Sequence, residues 1–271
     1  VGVYSGILYG TYSVIDNAII GKLLGISVLG YYLVAYRWGH IVSENIRPAF
    51  QSVIYPTFAS IKHDTFKLQK SYLESIKYLS FIAFPITLGI IFLGDKFILL
   101  IGGEKWEESI LPLQILSISG LLRTTNVGGA IFEVIGKPYI NTGFTIFTMS
   151  FIALLVYPFT LWFDLAGAAI AVVITFALGS IITPLLIRKY IDLPIKKQFA
   201  QMFIPCVASL GMGIVIFLFR RVSYVETIYL NELLEFIVLF FIGLISYFSL
   251  LYILTKGSIL VDLKFIYNIY K

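Results

Sequence analysis

Apolar runs of about 20 residues recur along the chain, the length at which a helix crosses a hydrocarbon core of about 30 Å. No water is present there to satisfy backbone N–H and C=O groups, so a spanning segment bonds within itself and folds as a helix. The runs lie at Val3 to Ile20, Tyr31 to Ala59, Tyr72 to Leu93, Ile110 to Ile135, Tyr139 to Trp162, Leu165 to Ile187, Ala200 to Phe219 and Leu234 to Thr255. They predict an all-α polytopic membrane protein with about eight transmembrane helices. Turn chemistry separates them at Gly21 to Gly30, Gly102-Gly103, Gly136-Lys137-Pro138, Phe163-Asp164-Leu165 and Arg188 to Gln198. The narrowest division is the one at Phe163.

Charged residues make up 13% of the chain, against about 25% in soluble domains. The mean hydropathy is +0.92. A single cysteine, Cys206, lies in an apolar stretch and forms no disulfide or metal-ligand pattern. The chain opens on Val1-Gly2-Val3-Tyr4 with no signal-peptide pattern, and the expectation is that it is the later part of a longer protein.

Lysine and arginine set the orientation. Lys62, Lys67, Lys70, Lys137, Arg188, Lys189, Lys196, Lys197, Lys256, Lys264 and Lys271 follow the even-numbered helices, while the other connections hold Lys22, Lys96, Lys105, Arg220 and Arg221 among acidic residues. The positive-inside rule then puts both ends of the chain in the cytoplasm. The formal charge of +5 follows from that topology and needs no nucleic-acid partner. The basic segment Ile61 to Ser71 reads either as a short helix lying on anionic headgroups or as a solvated turn.

Ionisable residues inside the apolar runs carry the functional signal, because each costs about 2.5 to 3.5 kcal/mol at mid-depth unless it faces a partner or a cavity. Arg37, His40, Glu44, Arg47 and Gln51 are spaced as one helical face. Glu44 can pair with His40 or Arg47, or the set can line a water-filled cavity. Arg37 and Arg47 are about 15 Å apart at about 1.5 Å per residue, long enough for a phosphate near one end and sugar hydroxyls along the rest. Arginine suits phosphate because its planar fork donates in pairs and stays charged at any depth. The bland alternative is a self-neutralising cluster that fixes helix packing. Pro48 predicts a kink beside Arg47.

Arg123, Asn126 and Glu133 form a candidate second polar wall in the fourth run. Asp16, Glu44 and Glu133 are the candidate carboxylates for ion or proton coupling, with Asp16 alternatively reaching the outer interface beside Asn17. Gly102 to Glu108 reads as an outer turn with an interfacial Trp106. Ala166 to Ala171, Gly211 and Gly213 read as close helix packing. With His40 and His63 as the two histidines, no Gly-rich phosphate loop and no nucleophile elbow, no catalytic residue, metal or cofactor is expected.

The stretch Asp16-Asn17-Ala18-Ile19-Ile20-Gly21-Lys22-Leu23-Leu24-Gly25, followed by Leu29-Gly30-Tyr31-Tyr32, resembles the "D-x-x-I-I-G-x-x-L-G … L-G-Y-Y" stretch of polysaccharide-biosynthesis exporters, the Wzx-type and teichuronic-acid-exporter-like flippases. Tyr55-Pro56-Thr57-Phe58, Phe84-Pro85-Ile86, Gly103-Glu104-Lys105-Trp106 and Leu113-Gln114-Ile115-Leu116 continue the likeness in the same order. Those flippases belong to the multidrug/oligosaccharidyl-lipid/polysaccharide exporter superfamily, whose members have 12 to 14 helices in two bundles. The resemblance implies that residues 1–187 are the second six-helix bundle and 188–271 two trailing helices with a cytoplasmic tail. It also implies transport, by alternating access in a bacterial or archaeal cytoplasmic membrane, of an oligosaccharide on undecaprenyl diphosphate for a surface polysaccharide such as O-antigen (lipopolysaccharide), capsule, exopolysaccharide or teichuronic acid. Cationic side chains such as Arg37 and Arg47 would then meet the diphosphate, and the partner would be the missing N-terminal lobe. A cation-coupled drug antiporter of the same superfamily is the first rival; its cationic substrates call for acids rather than arginines. A membrane-embedded polysaccharide polymerase is the second, and usually carries a large outer loop, for which the sequence has no candidate.

Overall fold

The computed structural model describes residues 14–225 and 232–256, the side chains of 222–225 apart. The first part of the helix expected from Val3, and the tail with Lys264 and Lys271, lie outside the described residues. Every regular element among the described residues is helical.

A first helix, α1 (residues 14–23), turns into α2 (Ile26–Gly39). The chain then passes through a wide π turn at Val42–Ile46 into α3 (Arg47–Ser60). The kink expected at Pro48 takes this form. Proline has no N–H to offer the carbonyl four residues back, and the amide of Arg47 reaches five residues back, to the Val42 carbonyl.

Residues 61–63 make a turn, and the Asp64 side chain accepts the Lys67 amide at 3.0 Å, capping α4 (Thr65–Gly102). The basic segment Ile61 to Ser71 is therefore neither a separate surface helix nor only a turn: it runs straight into α4, which is longer at both ends than the Tyr72 to Leu93 run. A 3₁₀ turn, Glu104–Ser109, leads into α5 (Ile110–Thr125).

The fourth expected helix is not continuous. Asn126 leaves helical geometry at φ −85°, ψ 85°, and a short α6 (Gly128–Val134) follows. The break brings α6 close against the next helix, where a side chain on Gly128 would run into the Thr183 methyl.

α7 (Tyr139–Ile191) changes direction at Phe163 and Asp164, whose dihedrals are not helical. In a straight helix Phe144 and Thr183 would stand roughly 58 Å apart at about 1.5 Å per residue, yet they line the same small pocket. The two arms of α7 thus fold back on one another, as Phe163-Asp164-Leu165 predicts. α8 (Ile195–Val225) and α9 (Glu232–Thr255) complete the described chain.

Among the described residues four helices, at Thr65–Gly102, Tyr139–Ile191, Ile195–Arg221 and Glu232–Thr255, are long and apolar enough to cross a membrane. Only 22–39% of the residues in their most apolar windows are buried, so most of that apolar surface faces outward, as lipid requires.

α8 and α9 pack chiefly on α4 around Leu93, Met212, Ile216, Leu239 and Tyr247. Pro85 within α4 leaves the Phe81 carbonyl without its helical donor. The Tyr247 hydroxyl supplies one, donating to Phe81 O at 2.8 Å. At one end of the seam Arg220 grips Asp95, with Nη2 to Oδ2 at 2.6 Å, and Lys96 meets Glu235 at 2.8 Å.

Candidate functional site

The π turn decides what the second expected helix presents. A run of α-helix would put Arg37, His40, Glu44 and Arg47 on one face; the extra residue in the wide turn shifts everything after it. Glu44, Arg47 and Gln51 line a cavity of about 740 Å³. Arg37, exposed on α2, and His40 are not among its lining residues.

His40 is fully buried, its Nε2 2.8 Å from the Ser119 hydroxyl and its Nδ1 3.1 Å from the Tyr36 carbonyl. A carbonyl only accepts, so Nδ1 carries a proton toward Tyr36, while the Ser119 hydroxyl beside Nε2 also lies 2.6 Å from the Leu116 carbonyl. His40 ties α2 to α5 behind the cavity wall.

The opposite wall comes from α5, α6 and the start of α7. Arg123 reaches across to Glu44, Nη2 to Oε1 2.9 Å, so the carboxylate pairs between helices rather than with His40 or Arg47 on its own. The Arg123 guanidinium also donates to the Tyr36 hydroxyl at 3.4 Å and lies over the Phe176 ring, 5.3 Å from its centre. Its side chain is only 8% exposed, against 54% for Glu44.

Glu133 accepts from Asn141 Nδ2 at 3.1 Å, and the same amide donates to the Gly129 carbonyl at 3.0 Å. The charged groups lining the cavity are thus Glu44, Arg47, Arg123 and Glu133, a balanced set. Asn126 does not share this lining. It donates to Thr183 Oγ1 at 3.0 Å and lines an adjoining pocket of about 60 Å³, which Arg47 and Arg123 border as well.

Asp16 stands apart from the cavity. It is 1% exposed and accepts the Tyr32 hydroxyl and the Asn17 amide, each at 2.9 Å. The reading in which it reaches the outer interface is corrected: its partners turn it inward against α2.

Tyr36 and Asn141 join the site without having been singled out in the sequence. Tyr36 follows from its step of four from His40; Asn141 is a lone amide at the start of an apolar run. Among the described residues no group of three or more His, Cys, Asp or Glu could hold a metal ion.

An all-α fold that combines long outward-apolar helices with a charge-lined cavity is the architecture of a membrane transporter. Residues 3–111 match the family described as "Polysaccharide biosynthesis protein". The chain is 28% identical over 213 residues to the teichuronic acid biosynthesis protein TuaB of Bacillus subtilis, covering 75% of this chain and 42% of that one. To the lipopolysaccharide biosynthesis protein WzxC of Escherichia coli it is 29% identical over 216 residues, covering 74% and 43%. The chain thus spans less than half the length of these curated relatives. Among solved structures it is similar to the lipid II flippase MurJ in an inward closed conformation, with a TM-score of 0.74 and 17% identity over 94% of this chain and 53% of that one. That likeness establishes the fold. The resemblance to the polysaccharide-biosynthesis exporters is borne out.

Proposed function

We propose that the protein of which this chain is part flips an oligosaccharide carried on undecaprenyl diphosphate across the cytoplasmic membrane, for surface polysaccharide synthesis, with no covalent step of its own. The observation that carries this is Arg123, a guanidinium only 8% exposed that lines, with Arg47, a cavity of about 740 Å³ walled by α2, the π turn, α3, α5, α6 and the start of α7. A buried arginine fork is matched to phosphate oxygens, and the cavity's amides and hydroxyls suit sugar. The names of TuaB, WzxC and MurJ support the same reading.

Arg47, Arg123 and Gln51 are the proposed substrate contacts, and the reading does not rest on Arg37. Asp16 and Glu133 remain the proposed carboxylates for ion or proton coupling. The partner is the remaining lobe of the same protein, facing this cavity. Both ends of the chain are proposed to be cytoplasmic, from the distribution of lysine and arginine. Residues 1–187 are read as one bundle and 188–271 as a trailing pair, because α8 and α9 rest chiefly on α4 around an apolar cluster of their own.

The test restores a deletion of the full-length gene with wild type or with Arg47→Ala plus Arg123→Ala, and scores which leaflet holds the lipid-linked oligosaccharide. The expected result is accumulation on the cytoplasmic side in the deletion and the double variant. An unchanged distribution in the deletion removes the flippase reading in favour of an antiporter; export restored by the double variant removes the arginine roles.

A further inference from the structure

The two ends of the Arg123–Glu44 ion pair are unequally committed to it. Arg123 is 8% exposed, wedged between the Tyr36 hydroxyl and the Phe176 ring, and cannot swing away without uprooting α5 packing. Glu44 is 54% exposed and rides on the π turn at the cavity edge, so its carboxylate can turn into water without leaving a buried charge of its own. Asymmetry of this kind makes the carboxylate the leaving partner and the guanidinium the fixed one.

The charge of the wall points the same way. Its lining charges, Glu44, Arg47, Arg123 and Glu133, already cancel. A phosphate arriving at Arg123 meets the Glu44 carboxylate already on the guanidinium and is repelled unless that carboxylate steps aside. Glu133 is tethered by Asn141, and the carboxylate paired with Arg123 is Glu44.

We infer that Glu44 is a placeholder anion: its carboxylate occupies the seat of a substrate phosphate on Arg123, and an arriving phosphate oxyanion displaces it. This deepens the flippase reading and rests on it. The exchange lets Arg123 stay neutralised when the cavity is empty, so that a buried cation is never left bare. It also carries a signal. The π turn packs against α5, and the ion pair ties the two together. Substrate loading cuts that tie at the point where α2 and α3 are joined by their widest turn.

The experiment titrates detergent-purified full-length protein with geranyl diphosphate and, in a second arm, inorganic pyrophosphate. Glu44→Gln is expected to tighten binding about tenfold and more than Glu133→Gln does, since general electrostatics treats the two carboxylates alike while displacement singles out Glu44. Arg123→Gln is expected to abolish binding. Tightening toward both probes assigns the seat to the diphosphate itself; tightening toward geranyl diphosphate alone assigns it to a lipid-borne one. Affinity unchanged or weakened in a monodisperse Glu44→Gln protein, or tightened equally in Glu133→Gln, overturns the exchange and leaves the flippase reading standing. A wild-type protein and a Glu44→Gln variant that both fail to bind either probe overturn the two together.

Discussion

Two hollows in this chain are built on opposite terms. The first, about 740 Å³, is walled by helices that lose their regularity where the charges sit: a π turn beside Glu44 and Arg47, a break at Asn126 after Arg123. The second, about 490 Å³, is lined mostly by residues of α4, α8 and α9, such as Phe81, Pro85, Phe97, Met212 and Phe240, on helices that run unbroken. Proline appears in both. Pro48 coincides with a wide turn, whereas the carbonyl orphaned by Pro85 receives the Tyr247 hydroxyl and the helix continues. Irregular backbone is tolerated at membrane depth where it borders protein or a polar cavity; elsewhere the orphaned group finds a side-chain donor. The two walls therefore should fail differently when altered, one in transport and the other in stability.

The largest effect is expected at the polar wall. Arg123→Ala removes the buried end of the charge pair and should cost about 2–5 kcal/mol of substrate interaction, roughly thirtyfold or more. The assay is restoration of export by the full-length gene, with membrane abundance close to wild type. An effect that follows abundance alone would merge the two walls into one structural category.

Behind the apolar wall, where α8 meets α4, Gly213→Leu comes next. A side chain there overlaps the Phe92 ring, and such overpacking costs about 1–3 kcal/mol. Thermal unfolding in detergent should show the loss, while export per folded molecule is unchanged.

Tyr247→Phe should cost about 1 kcal/mol or somewhat more, since it strands the Phe81 carbonyl. The same change in a Pro85→Ala background should cost less, because alanine returns the missing N–H. An equal cost in both backgrounds would mean that the hydroxyl does not compensate for the proline.

The smallest effect belongs to the rim. The Lys67 amide and ammonium hold the Asp64 carboxyl below the usual carboxylate range. A depressed folded value stabilises above the unfolded pKa of about 3.9 and is lost as pH falls through the folded one. Melting temperature should thus fall slightly on acidification, and Asp64→Asn, which still caps the helix, should flatten that slope.

The long apolar helices α4, α7, α8 and α9 were legible in the sequence because burial in lipid and hydropathy are the same property read twice. Phe163-Asp164-Leu165 divided α7 correctly, since an exposed turn between apolar runs carries its own chemistry. The polar wall was legible as a set of residue types and not as an arrangement. The spacing of Arg37, His40, Glu44 and Arg47 fits an α-helix, and Pro48 announces an interruption without announcing that it widens the turn and so parts Arg37 and His40 from Arg47. Glu44 finds its partner on α5, far along the chain, and short-range spacing cannot report a contact at that separation. The break at Asn126 had a signal in Gly128-Gly129, masked by the apolar residues on both sides.

A π turn holds one residue more than the α-helical turn it replaces, so α3 stands rotated by about 100° from where an uninterrupted α2 would have put it. Deleting any one residue from Val42 to Ile46 gives the chain the means to close that turn as ordinary helix. Arg47 and Gln51 would then swing off the cavity wall together, with hardly any loss of length. For this segment a one-codon deletion would exchange one set of wall residues for another in a single step.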